Sequence, residues 1–141
     1  MTRQPSKIDE LSNAWVVKLA ELSPSFATYA GFAGGEDKLD DNSPAAIKHY
    51  YELEKELLAK LEALEPVDAI DEVSKAALAA NLKLGIELHE SGLWKRDLDV
   101  ISSPAQGIRD IFDLSPVATE ADWANLNKRL RAVEGLSLIH I

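Results

Sequence analysis

Three histidines, His49, His89 and His140, are the side chains of this sequence best suited to proton transfer or metal ligation near neutral pH. His89-Glu90 opens the H-E-x-x-H pattern, in which one helix face offers two imidazoles to zinc and a glutamate to the attacking water. Leu93 stands where the second imidazole is needed, and Gly92 ends the helix before it. The Glu-x-x-His spacing of di-iron bundles fails too, since Ala46 lies three residues before His49 and Ile86 three before His89. Both histidines therefore read as surface or boundary residues. The acidic segment Glu36 to Asn42 offers oxygens to a calcium ion, but it lacks the alternate ligands, turn glycine and closing glutamate of an EF-hand loop. It reads as a solvated polar loop. No serine sits in a nucleophile elbow, and no glycine arrangement forms a dinucleotide fingerprint or phosphate loop. The sequence thus names no catalytic, cofactor-binding or metal-binding residue.

The elements that would position any chemistry are helices. Ile8, Leu11, Trp15, Leu19 and Leu22 recur at helical spacing after Pro5-Ser6. Ser23-Pro24 breaks the run, a short helical turn fits Phe26 to Tyr29, and Gly31, Gly34 and Gly35 open a loop. Ser43-Pro44 reads as an N-cap with proline at the first helical position. Ile47, Tyr50, Leu53, Leu57, Leu61 and Leu64 then line one face of a long helix that Pro66 ends, with Glu56 and Lys60 as an i,i+4 pair on the other. From Asp71 to Ser91 two apolar stripes run together: Val73, Ala77, Ala80, Leu84 and Leu88, and Leu78, Leu82 and Ile86. Such a two-sided helix is expected to be the most buried, with Gly92 as its left-handed terminator. An extended link through Val100 and Ile101 leads to Ser103-Pro-Ala-Gln106, a capping box for a helix ending at Phe112. Thr119 to Asp122 is a weaker start signal for the last helix, Asp122 to Glu134, with Trp123, Leu126, Leu130 and Val133 on its core face. Core packing is the expected role of Trp15, Trp94 and Trp123. Of the four serines before proline, Ser23, Ser43, Ser103 and Ser115, the second and third are expected to cap helices.

With 141 residues, 46% apolar and 28% charged, the chain fits one globular domain or a large part of one. Its net charge of −9 and lack of a basic stripe argue against nucleic acid and anionic lipid. There is no cysteine, so disulfides and thiolate metal sites are excluded. No leader-like apolar core follows the polar N-terminus and no run reaches membrane-spanning length, so the expected location is cytoplasmic.

Val100 to Pro116, reading Val-Ile-Ser-Ser-Pro-Ala-Gln-Gly-Ile-Arg-Asp-Ile-Phe-Asp-Leu-Ser-Pro, with Thr119, Asp122-Trp123 and Lys128-Arg129-Leu130 behind it, resembles the bacterial domain-of-unknown-function family 885. Pro24-Ser-Phe-Ala-Thr-Tyr-Ala-Gly31 matches an early segment of that family, and Asp40 or Asp41 a later aspartate. The likeness covers residues 8 to 135. It implies a longer, mostly helical protein grouped with H-E-x-x-H zinc peptidases, whose zinc ligands and water-activating glutamate would lie beyond Gly135, with peptide as substrate. No catalytic role is carried onto any residue here.

The expected fold is all-α, an antiparallel array or bundle of about five helices forming the N-terminal part of a larger fold. Residues 1–135 are expected to be its helical region. Leu136 to Ile141 match one reading frame of a sequencing-library adapter and are expected to be non-native, which removes His140 from consideration. The expected function is that of a truncated helical region, inert alone and holding no cofactor, from a parent that is a candidate zinc peptidase. The alternative is a self-contained helical interaction or ligand-binding module without catalysis.

Overall fold

The computed structural model describes residues 3–96, 101 and 103–137. Six α-helices occur among them, with no strand: α1 Lys7–Leu22, α2 Pro24–Ala30, α3 Pro44–Glu62, α4 Ala69–Glu90, α5 Pro104–Leu114 and α6 Glu120–Ser137. A 3₁₀ turn, Leu93–Arg96, follows α4. The all-α expectation holds, and the helical turn read at Phe26 to Tyr29 is the full helix α2. The last helix continues through Gly135 to Ser137 instead of ending at Glu134. Val100 and His140 lie outside the described residues, as do the tail residues after Ser137.

The chain divides into two compact units, residues 1–17 with 47–96 and residues 18–46 with 97–141. In the first, α3 and α4 form an antiparallel hairpin. Lys75 Nζ donates to the carbonyl of Leu64 (2.6 Å), Lys83 pairs with Glu62 (2.9 Å), and the Tyr51 hydroxyl donates to Glu90 (2.8 Å), so α4 climbs as α3 descends. Ile8, Trp15, Leu57, Leu61 and Leu82 are buried, each side chain of this size contributing about 1.5–3 kcal/mol on leaving water. Trp15 meets Tyr50 with ring centroids 5.9 Å apart. The Glu56–Lys60 pair forms at 3.9 Å with both partners about two-thirds exposed, where it contributes a few tenths of a kcal/mol.

The helix starts follow local hydrogen-bond chemistry. Ser6 and Asp9 cap α1 reciprocally, Ser6 N–H donating to the carboxylate (2.8 Å) and Asp9 N–H to the hydroxyl (3.1 Å). Asp68 caps α4 by accepting from Asp71 N–H at 2.9 Å. Ser43 accepts from Ala46 N–H (3.2 Å), as its sequence position indicates. Thr119 and Asp122 also exchange bonds, at 2.8 and 3.2 Å. Thr119→Ala is therefore expected to lower stability by about 1 kcal/mol in urea denaturation, with most of the loss at the start of α6. Ser103 departs from expectation: it occupies the N-cap position and is buried, but its side chain makes no capping bond. Gly92 does terminate α4 in the left-handed region, with φ +72°.

One expectation fails outright. Helix α4 is not the most buried element, because Val73, Ala77, Ala80, Leu84 and Leu88 are all exposed, while Leu82 is buried and Leu78 and Ile86 are half-buried. Asp71, Gly85 and His89, which contact other parts of the first unit, lie on the inward side. Periodicity shows that a face is apolar; burial also requires a neighbour to cover it.

Candidate functional site

In the first unit, the core face of α3 carries a carboxylate. Tyr50, Glu54, Leu57 and Leu61 follow one another at helical spacing, and Glu54 is only 8% exposed. A Cβ at residue 85 would lie 2.5 Å from Glu54 Oε1 and 2.8 Å from Oε2, so the absence of a side chain at Gly85 makes room for the carboxyl group. Burial pushes the Glu54 carboxyl up to about 7. The Tyr50 hydroxyl is raised by burial and by the charge of Glu54. The core stripe expected for this helix includes Leu53 and not Glu54. The signal was present, since Glu54 lies three residues before Leu57 and seven before Leu61.

A second polar centre joins the N-terminal segment to the start of α4. The Arg3 guanidinium donates to Asp9, Asp68 and Asp71. Asp71, with no exposed surface, also accepts from Ser6 Oγ (2.7 Å) and Val67 N–H (3.1 Å). The bond from Arg3 holds Asp68 below the usual carboxylate range; for Asp9 the Ser6 N–H is the largest cause and Arg3 adds to it.

In the second unit the centre is Arg129, fully buried in α6. Its Nε donates to the carbonyl of Lys38 (2.8 Å), Nη1 to Ser115 Oγ (2.7 Å), and Nη2 to Thr28 Oγ1 (2.7 Å) and the carbonyl of Gly35 (3.0 Å). Ser115 Oγ in turn donates to the carbonyl of Ile111 at 2.6 Å. Desolvation lowers the Arg129 pKa, while Glu36, Asp40 and Asp37 oppose that shift through their charge. The acidic loop is therefore more organised than a solvated loop. The carbonyl of Lys38 within it and that of Gly35 beside it bind Arg129, Asp37 pairs with Lys128 (3.3 Å), and Asp40 accepts from Ser23 Oγ (2.9 Å) and Ser25 N–H (2.8 Å) at the start of α2. Ser23 itself caps α2 through Phe26 N–H at 3.0 Å. Of the two aspartates that the resemblance leaves open, Asp40 organises α2, and Asp41 accepts from Ser43 N–H (2.9 Å).

His49 is exposed. His89 is stacked between Tyr51 and Trp94, with centroids 4.1 and 5.6 Å away and planes within 13°. Trp15 is in the core and Trp94 is half-buried, but Trp123 is 59% exposed, so the expectation of core packing fails for it. No three His, Cys, Asp or Glu side chains converge as a metal-binding set among the described residues. No helix among the described residues is long and apolar enough to cross a membrane.

Two helices expose apolar surface. On α4 it comprises Val73 (69% exposed), Leu84 (54%) and Leu88, with Ile70 at one edge; on α6, Trp123 and Leu130 (62%). The α6 helix is turned so that Arg129 faces the interior and Leu130 does not, a rotation from the expected core stripe. Compared with curated proteins, the sequence matches none. The family described as bacterial protein of unknown function (DUF885) matches residues 24–137, a span that includes α2 to α6 entire, and the chain belongs to that family.

Proposed function

We propose that this chain is the N-terminal helical region of a larger zinc-peptidase-like protein, and that its role there is architectural. The exposed stripe of α4 carries this reading. Single exposed leucines are ordinary, whereas Val73, Ala77, Ala80, Leu84 and Leu88 form a continuous row over four turns of one helix. The α6 residues Trp123 and Leu130 add a second apolar face. In the parent protein these faces pack against later helices. Zinc and peptide substrate belong to those later parts, and the present residues hold the N-terminal layer in place.

Sequencing the genomic locus past the codon for Gly135 tests the reading. An open frame of several hundred residues with H-E-x-x-H supports it; a stop directly after Ile141 overturns it and leaves a self-contained helical interaction module. At the level of this chain, Leu84→Lys is expected to change unfolding free energy by less than about 0.5 kcal/mol, since Leu84 is more than half exposed. The same change should reduce binding of a hydrophobic dye.

A further inference from the structure

We propose that the seam between α3 and α4 in the first unit is a proton-controlled latch: the protonated Glu54 carboxyl seats against Gly85 and closes the seam, and the ionised carboxylate leaves it and loosens the two helices. The geometry is specific. Glu54 is more than nine-tenths buried on the core face of α3, and its carboxyl occupies the space that any side chain at residue 85 would need.

Among the described residues, burial alone shifts Glu54 and no cation pairs with its carboxylate. Each of the five lysines on α3 and α4 is directed elsewhere: Lys48 to Glu52, Lys55 to the Tyr51 hydroxyl, Lys60 to Glu56, Lys75 to the carbonyls of Glu62 and Leu64, and Lys83 to Glu62. Facing groups on α4 are Asp71 and His89, near its two ends. Asp71 is bound to Arg3 and Ser6, and His89 is stacked on Tyr51. On α1 the inward residues are Ile8 and Trp15, with Ser12, whose buried Oγ has no partner. Tyr50, one turn before Glu54 on α3, is kept neutral by burial and by the Glu54 charge, which both disfavour its phenolate, and it brings no positive charge to the carboxylate. The interior therefore accepts a neutral carboxylic acid and penalises an anion.

The sign follows from linkage. The folded-state value, about 7, lies above the ordinary glutamate value of 4.5, so the folded state binds the proton more tightly. Stability from this group is fully present below the unfolded value and is lost as pH rises through 7. Between pH 5 and pH 8 the folded-to-unfolded ratio should fall roughly 70-fold on this account.

The test uses the intact chain in urea at pH 5 to 8, with NMR titration of the Glu54 side-chain carboxyl and amide exchange in α3 and α4. The expected results are a midpoint near neutrality, faster opening of both helices at pH 8 than at pH 5 after correction for intrinsic exchange, and the stated fall in stability. Glu54→Gln should flatten the pH dependence to under about threefold. Gly85→Ala should displace the carboxyl and return its midpoint toward 4.5, even as alanine favours the helix. A wild-type Glu54 midpoint near 4.5 overturns the proposal without any variant. So does an undiminished pH dependence in Glu54→Gln, which would place the titrating group elsewhere.

Discussion

Replacing Arg129 with methionine is expected to cost about 3–5 kcal/mol, from buried acceptors left unsatisfied at about 1–3 kcal/mol each, and to disorganise the second unit before the first. Methionine fills much of the volume, but it leaves the carbonyls of Gly35 and Lys38 and the hydroxyls of Thr28 and Ser115 without the guanidinium that joins them. These groups come from the α2 helix, the loop after it and the end of α5, so one side chain joins three segments, beside the Asp40 bonds that tie the loop to the start of α2. Arg129→Lys is expected to recover less than half of the loss, because a single ammonium cannot reproduce the planar fork. Urea denaturation followed by amide exchange checks both. Uniform loss of protection across α1, α3 and α4 as well would show that Arg129 is not the local organiser described here. Against a total stability of about 5–15 kcal/mol, such a loss would leave the variant close to unfolding.

Asp71→Ala is the second large effect, at about 3 kcal/mol. The carboxylate is fully buried and accepts from Arg3, Ser6 Oγ and Val67 N–H. Its removal leaves a hydroxyl and an amide unsatisfied, each costing about 1–3 kcal/mol, although Arg3 retains Asp9 and Asp68. Glu72→Ala, at the exposed neighbouring position, is the control and should lie within about 0.5 kcal/mol of wild type. Equal effects at the two positions would mean that the α1–α4 junction does not depend on this buried carboxylate. Acid should weaken the same junction, since Asp68 and Asp9 are held below their usual values. Their contributions are present above the unfolded carboxylate range and are lost as pH falls through the folded values.

Helix positions were legible from local chemistry because caps act within four residues. Ser43, the Thr119–Asp122 exchange and Gly92 fall where the sequence puts them. Helix orientation was less legible, since it depends on partners far along the chain. The two stripes of α4 look alike in sequence, and tertiary contacts alone decide that the Leu82 side is covered. On α6 the average preference for exposed arginine points the wrong way. Arg129 can be buried because carbonyls from a loop about 90 residues earlier meet its donors, and residue type gives no local sign of that. Glu54 is the intermediate case: its spacing with Leu57 and Leu61 marks the core face, but a carboxylate there contradicts the pattern of apolar interiors unless the gap at Gly85 is known.

The most direct test of the architectural role is oxidative footprinting of the protein translated from the full open frame at the locus, compared with the present chain. In the present chain Val73, Leu84, Leu88, Trp123 and Leu130 should label readily, in keeping with their exposure. In the longer protein these five positions should become protected, while exposed polar-face positions such as Tyr29 and His49 keep their reactivity. Unchanged labelling of the α4 and α6 faces in the longer protein would contradict the account.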